Sequence, residues 1–474
     1  MIYDRSQRSC GALTASSAGA RVHFEIAPNL AFVDEDVRVC VRGLPASALI
    51  SIQAAVEDDQ GRRWCSLGHF RADSAGVIDA SLHESLGGSY LGVAPMGLFW
   101  SMESATASAD GNSSFAKNNS SPDRVDFKAL FDGRAVARAS LARNFLAPGT
   151  LTRDLKIPTD AELAGIGAGS DASSRTGETT VGRLFIPPGG GLHPVVIVLS
   201  GSGGGFDLDK AAVLSRHGFA TLALAYFGIA PLPSWLHRIP LEYFEAPLTW
   251  LSAQPEIDPQ RVGILSVSRG AELALLLGST FPQVRVIVAY APSSVAWAAG
   301  GRDNTSDRTG GEIIPCWTWR GKPLPFAPLP LRGFMWRSAF PVVALKRPVM
   351  FRNLFRAGLR NREAVERAAI PVEKIRGPIL LISGGDDHLW PAGAMSEAIV
   401  ARLKRNGSAH RAEHLHFAHA GHMLRYPHLP VTARDSRNKH LRGARFSFGG
   451  TPSADAEAQT QAWHRAIAFL RANL

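Results

Sequence analysis

Cysteine is scarce in this chain: four in 474 residues (Cys10, Cys40, Cys65 and Cys316), widely scattered and without a CxxC pair. That spacing implies no disulfide framework and no cysteine zinc site. Long apolar runs are missing as well; no stretch reaches about 18 residues, so no membrane span is expected. The opening residues Met1-Ile-Tyr-Asp-Arg-Ser-Gln-Arg-Ser-Cys10 contain no apolar core of signal-peptide length. A soluble, cytoplasmic protein is the expectation. Acidic residues are outnumbered, 41 against 51 basic, leaving a net charge of +10 and a pI near 9.7. Such an excess favours polyanionic partners. No nucleic-acid recognition motif accompanies it, so no nucleic acid partner is expected. No internal repeat is present.

Size and patterning support two domains. With 45% hydrophobic and 19% charged residues the chain can bury substantial cores, and 474 residues exceed what one core usually supports. Residues 22–102 alternate apolar and polar in short runs, separated by turn signals such as Asp58-Asp-Gln-Gly61 and Asp73-Ser-Ala-Gly76. That pattern favours a small antiparallel β-sandwich. Residues 106–123 shift to Ser, Ala, Asn and Gly and read as a flexible loop. Residues 125–144 return to alternation, with a hairpin through Asp132-Gly133. Residues 153–188 read as a connection, with Val181-Gly-Arg-Leu-Phe-Ile186 as the first strand of the second domain. The expected division is 20–150 for the sandwich and 180–474 for an α/β domain.

Chemistry enters at Ser266-Val267-Ser268-Arg269-Gly270, between the β-type run Arg261-Val-Gly-Ile-Leu265 and the helical run Ala271-Glu-Leu-Ala-Leu-Leu-Leu277. Strand, small-x-Ser-x-small turn and helix are what a nucleophile elbow requires. Ser268 then occupies a strained turn, and the Arg269 amide, at the new helix N-terminus, faces a developing oxyanion. Ser266 stands where glycine is usual and crowds the turn. It is a poor rival nucleophile, because Ile264 would then fill a position that must be small. The plainer alternative is an ordinary strand-to-helix turn with serines capping the helix.

Downstream, the apolar strand Gly377-Pro-Ile-Leu-Leu-Ile-Ser383 precedes Gly384-Gly385-Asp386-Asp387-His388, and a carboxylate past a strand's carboxyl end suits an open parallel sheet. Asp387 is the expected acid, with Asp386 as second choice. Solvated turn aspartates are the alternative. The strand His414-Leu-His-Phe417 is followed by Ala418-His419-Ala420-Gly421-His422, and His422 is favoured because the preceding glycine permits a tight turn. Ser, then Asp, then His is the order of α/β-hydrolases. His414 and His416 share a strand face from which Glu413 points away, so no metal site is expected. The strand Pro194-Val-Val-Ile-Val-Leu199 leads into Ser200-Gly201-Ser202-Gly203-Gly204-Gly205, which lacks the Lys-Ser/Thr ending of a phosphate loop. Amides near Ser202 and Gly203 are the expected second oxyanion donors, with that of Arg269 the first.

Between the strand Val284-Arg-Val-Ile-Val-Ala289 and the acid loop, residues 297–374 exceed a simple crossover. The segment opens polar (Gly300-Gly-Arg-Asp-Asn-Thr305). It continues through Trp317, Trp319, Phe326, Phe334 and Trp336, and then carries Arg352, Arg356, Arg360, Arg362 and Arg367. It reads as a cap insertion offering apolar surface to an acyl chain, or as a solvated helical face with its aromatics in a local core. Its guanidinium groups suit a phosphate-bearing partner. Arginine-rich composition alone is the alternative.

The chain resembles the acyl-CoA thioesterase and bile acid-CoA:amino acid N-acyltransferase family. The resemblance rests on Val33-Asp-Glu-Asp-Val37, Val41-Arg-Gly-Leu44, Ala72-Asp-Ser-Ala-Gly76 and above all Gly87-Gly-Ser-Tyr-Leu-Gly-Val-Ala-Pro-Met-Gly-Leu-Phe-Trp-Ser-Met102. It continues with Gly203-Gly-Gly205, His217-Gly-Phe-Ala220, Leu224-Ala-Tyr226, Glu242-Tyr-Phe-Glu245, Gly384-Gly-Asp-Asp-His-Leu-Trp390, Ala420-Gly-His422, Gly449-Gly-Thr-Pro452 and Ala462-Trp463. It implies an N-terminal β-sandwich joined to an α/β-hydrolase domain, and it carries the family's triad onto Ser268, Asp387 and His422. In that family conjugation to amino acids goes with a cysteine nucleophile and hydrolysis mostly with serine, so the resemblance implies acyl-CoA thioester hydrolysis. The expected partner is a small acyl-CoA or ester substrate, with no metal or redox cofactor. An N-acyltransferase, a carboxylester or lactone hydrolase, and a non-catalytic binding protein are the alternatives.

Overall fold

The computed structural model describes residues 21–104, 114–158, 178–299, 314–334, 336, 339–408, 410, 412–438 and 444–474. The readings of the first ten residues, of Cys10, of 106–113, of 159–177 and of the polar opening at 300–305 lie outside the described residues.

The N-terminal part holds two sheets. Leu49–Glu57, Arg63–Arg71, Asp123–Phe131 and Arg134–Asn144 form the body of a six-stranded sheet, with Ala31–Phe32 and Glu103–Ser104 at its edges. His23–Ala27, Arg38–Arg42 and Ile78–Asp79 form a second, antiparallel sheet. Alternation supplies the shared core: Ile50, Ile52, Trp64, Phe70 and Phe127 from one sheet meet Val39, Val41 and Ile78 from the other. Asp132 and Gly133 both have positive φ (47° and 75°), the geometry of a two-residue hairpin turn that matches strand twist. The flexible-loop reading fails at its described end, 114–122. Phe115 is buried against Trp64, with ring centroids 5.6 Å apart, and Lys117 pairs with Asp59 (3.3 Å) and Asp123 (3.0 Å). Composition there had hidden one large aromatic anchor.

The C-terminal part is built on eight strands: β1 (Leu151–Pro158), β2 (Glu178–Ile186), β3 (His193–Leu199), β4 (Ala220–Leu224), β5 (Ile257–Val267), β6 (Val284–Tyr290), β7 (Ile379–Gly384) and β8 (Ala412–Phe417). Their spatial order is β1-β2-β4-β3-β5-β6-β7-β8, antiparallel at β1-β2 and β2-β4 and parallel from there to β8. This is an α/β-hydrolase sheet. One correction concerns its edge. Residues 153–158, read as connection, belong to its first strand, because Leu151–Pro158 pairs in register with β2. Strands β3, β6 and β7 are near-continuous apolar runs, as strands covered on both faces must be.

Alternate residues of β3 enter different cores. Val195, Ile197 and Leu199 join Leu251, Leu273 and Leu277, whereas Val196 and Val198 join Leu214, Trp463 and Ile467. The second of these cores is continuous with that of the sandwich. The insertion between β6 and β7 takes part in two smaller cores among the described residues, one in which its Trp297 and Ala327 meet Trp390 and Met395 from beyond β7, the other around Phe334, Ala339, Val349 and Leu354. Among the described residues no helix is long and apolar enough to cross a membrane.

Candidate active site

Helix α1 (Arg269–Thr280) starts where β5 stops, with Ser268 between them at φ 59°, ψ −122°. A non-glycine residue held there is strained, and its surroundings must over-determine it. They do: the Ser268 amide donates to Tyr290 O (2.9 Å), and Ser268 O accepts from Ala271 N (2.9 Å) and Glu272 N (3.1 Å). Gly270 is required by close approach, since a Cβ there would lie 2.2 Å from Ser200 O. Ser266 is fully buried and its hydroxyl has no partner among the described residues.

Three side chains distant in sequence meet at the carboxyl ends of β5, β7 and β8. His422 Nε2 lies 3.0 Å from Ser268 Oγ, and His422 Nδ1 lies 2.7 Å from Asp387 Oδ2. The other carboxylate oxygen of Asp387 accepts from the amides of Leu389 (2.8 Å) and Trp390 (3.1 Å), which holds the group in place. Asp387 and His422 are both buried. With Asp387 accepting from Nδ1, the unprotonated Nε2 is left facing the serine hydroxyl. Asp386 goes elsewhere: it bonds His388 Nε2 (3.0 Å) and accepts from Gly450 N (3.0 Å). Gly421 serves a different need from the one read in the sequence. Its φ is not positive; a Cβ there would lie 2.7 Å from the Gly449 backbone, so the glycine admits a close chain crossing.

The oxyanion candidates lie beside the nucleophile. A Cβ on Gly201 would come within 3.3 Å of Ser268 Cβ, and Gly201 O accepts from Gly204 N (3.2 Å) in a tight turn. Gly205 N is committed to Phe227 O (2.9 Å). Among the described residues the amides of Arg269, Ser202 and Gly203 have no partner. His414 Nε2 and His416 Nδ1 both bond Ser383 Oγ (2.8 and 2.9 Å), tying β8 to β7, while Glu413 pairs with Arg465 from the opposite strand face. His419 is exposed.

Sequence reasoning missed the network behind the elbow. The Arg269 guanidinium is buried and pairs with the fully buried Glu272 at 2.7 Å. It also donates to Ala298 O (2.9 Å) and to Cys316 Sγ. Glu272 Oε1 accepts from Trp317 Nε1 (2.7 Å) and Trp297 N (3.1 Å). Burial pushes the Glu272 carboxyl up, against the pull of Arg269 and the two donors. Burial likewise pushes the Cys316 thiol to about 12, so it is a protonated neighbour rather than a thiolate. The available signal was a carboxylate three residues after an arginine in an otherwise apolar helix. A second missed residue is Asp455, whose Oδ1 accepts from Gly421 N (2.7 Å) and whose carboxyl is pushed to about 7 by burial.

Family comparison agrees with this geometry over both parts of the chain. Residues 239–474 match the model described as BAAT / Acyl-CoA thioester hydrolase C terminal, and residues 34–156 match Acyl-CoA thioester hydrolase/BAAT N-terminal region. The chain is 30% identical to acyl-coenzyme A thioesterase 1 of Rattus norvegicus over 93% of its own length and 94% of the relative. The chain belongs to the acyl-CoA thioester hydrolase/BAAT family of enzymes. Other members include the peroxisomal succinyl-coenzyme A thioesterase of Mus musculus, 29% identical over 93% of this chain and 94% of that protein. The bile acid-CoA:amino acid N-acyltransferase of the same organism is 30% identical over 94% of this chain and 96% of that protein. Both names within the acyl-CoA thioester hydrolase/BAAT family denote attack on an acyl thioester; they differ in what receives the acyl group.

Proposed function

We propose that the protein hydrolyses acyl-CoA thioesters through an acyl-enzyme on Ser268. His422 Nε2 takes the Ser268 proton as Oγ attacks the thioester carbonyl carbon. The negative oxygen is held by the Arg269 amide and by one from Ser202 or Gly203. The C–S bond breaks, and His422 returns the proton to the leaving sulfur. Water then attacks the ester, delivering its proton to His422, and Ser268 is restored as the acid leaves. Asp387 orients the ring and stabilises the imidazolium formed at both stages.

The observation that carries the reading is the Ser268–His422–Asp387 hydrogen-bonded line (3.0 and 2.7 Å) on a strained strand-to-helix turn, in a chain of this family. A serine at the nucleophile position favours water over an amino acid as acceptor. An oxygen ester is less prone than a thioester to aminolysis. The reading includes residues 20–150 as a sandwich domain, 180–474 as the catalytic domain with β1 (Leu151–Pro158) added at the edge of its sheet, and a cytoplasmic location testable by cell fractionation. Relatives are named as peroxisomal and mitochondrial proteins.

Coenzyme A release from a long-chain acyl-CoA, followed with and without glycine or taurine, tests the proposal. Free acid is expected in every case, with a loss of about 10⁴-fold or more in Ser268→Ala and in labelling by a fluorophosphonate. Substantial amide product would assign the transferase reaction instead. Equal rates on a simple ester of the same acid would make it a general carboxylester hydrolase.

A further inference from the structure

The excess of basic over acidic residues is concentrated in one stretch of this chain. Residues 313–362 contain ten Lys or Arg and no Asp or Glu, leaving 41 basic and 41 acidic residues in all the rest. The entire net charge of +10 therefore resides in fifty residues of the cap.

The same stretch leaves large apolar side chains in water. Trp336 is 74% exposed, Leu345 68%, Phe340 47%, and Val343 and Met350 39% each, all within fifteen residues. The Trp336 and Phe340 rings lie 5.2 Å apart. This is not a face waiting for the local core. The inward residues Phe334, Ala339, Val349 and Leu354 already fill that core, and the exposed set lies outside it. Lys346 and Arg347 are exposed directly after Leu345, and Arg356 and Arg360 are exposed further along. Among the described residues no carboxylate pairs with any of these four.

We propose that this outer face of the cap docks on an anionic phospholipid surface. Trp336, Phe340 and Leu345 enter the headgroup region, and Lys346 and Arg347 meet lipid phosphates. A contiguous apolar surface rimmed by cations is what interfacial attachment requires, and a polyanionic plane is the partner its charge complements. A second copy of the chain would bring together two basic stretches that hold no carboxylate of their own. Nucleic acid would leave Val343 and Leu345 without apolar partners. The face is also joined to the site: Arg352 N donates to His388 O (2.9 Å), and Phe355 packs on Trp390 (5.5 Å), which packs on His422 (6.0 Å). Docking therefore brings the rim of the site to the phase in which an acyl amphiphile partitions, yet it asks nothing of the chemistry at Ser268.

Cosedimentation of the full chain with vesicles of phosphatidylcholine, with or without phosphatidylglycerol, tests this at low and high salt. Binding is expected to the anionic vesicles only, and to be lost as salt rises. Each basic residue near such a surface is worth about fivefold, so Lys346→Glu/Arg347→Glu should weaken binding by more than about twentyfold. Trp336→Ser/Leu345→Ser should also abolish it, with circular dichroism and melting unchanged because the residues are exposed. Brominated lipid should quench part of the tryptophan emission, a part missing in Trp336→Phe. Equal affinity for neutral vesicles, binding that survives these substitutions, or quenching unchanged in Trp336→Phe would overturn the proposal. Self-association or capture of an acidic protein through this face, without vesicle binding, would overturn it equally.

Discussion

Sandwich and cap flank the catalytic sheet from different sides, and each shares a hydrophobic core with it, but only the cap adds a buried ion pair directly behind the nucleophile. On the sandwich side the hydrophobic core runs unbroken from Ile52 and Phe127 to Val196 and Trp463. Polar ties are laid over it. Asp34 accepts from Trp463 Nε1 (2.9 Å) and His217 Nε2 (2.7 Å), and Arg143 donates to His428 O (3.2 Å). The loop after His422 is then sewn down by Val431 N on Trp100 O (3.0 Å) and Thr432 Oγ1 on Met102 O (2.6 Å). The Trp-Ser-Met motif, far from the elbow in sequence, thus supports the histidine loop. On the cap side the contact with the elbow is a buried charge pair, Arg269–Glu272, fastened to Trp297, Cys316 and Trp317. Apolar area is tolerant of small shifts, whereas a buried ion pair is costly to break and specific in geometry. The sandwich join is therefore expected to serve stability, and the cap join to serve both stability and the position of the nucleophile.

Glu272→Ala tests the cap side most severely. It leaves the Arg269 guanidinium buried and unpaired, which costs about 3–5 kcal/mol in denaturant unfolding. Turnover should also fall, with KM changed less, because Arg269 supplies an oxyanion amide in the proposed mechanism. A stability loss with turnover intact would break the comparison. Asp34→Ala should cost about 2 kcal/mol, less because Arg216 retains Glu35, and should leave kcat/KM within about twofold. Acid sharpens this test. Burial opposes ionisation of Asp34, but His217 and Arg216 hold its carboxyl below the usual range. The folded state thus binds fewer protons than the unfolded one, whose carboxyl titrates near about 4. The stability Asp34 contributes is present above about pH 4 and lost as pH falls through the folded value, a loss that melting of Asp34→Ala should not show.

At Asp455, under the histidine loop, the expected effect is on the pH dependence of stability rather than on turnover. Its folded carboxyl keeps its proton to about 7 while the unfolded one releases it near about 4. The folded state binds the extra proton across that window, so stability declines as pH rises from about 4 to 7. Asp455→Asn still accepts from Gly421 N, and its melting temperature should be flatter over the same range. An unchanged slope would remove Asp455 from the account.

Much of this architecture was legible along the chain. The apolar runs of β3, β6 and β7, the Asp132-Gly133 hairpin, and the small residues around Ser268 are local patterns of period, turn chemistry and size. The order of Ser268, Asp387 and His422, each after a strand, is equally local. Choosing between Asp386 and Asp387 was not, because adjacent side chains take different partners only once β8 and the backbone near Gly450 are in place. Residues 153–158 were misread for a similar reason: an edge strand of modest hydrophobicity is defined by its neighbour. Phe115 could not be seen as an anchor without Trp64.

Residue order was enough to set most of the elements, their succession and the chemical groups at their ends, since those depend on residues a few positions apart. The Arg269–Glu272–Cys316 cluster and the core shared by two domains arise only in the folded molecule. So does the sorting of the insertion's aromatics into buried Trp317 and exposed Trp336. Each of these depends on which distant surfaces exclude water together, and no spacing along the chain encodes that.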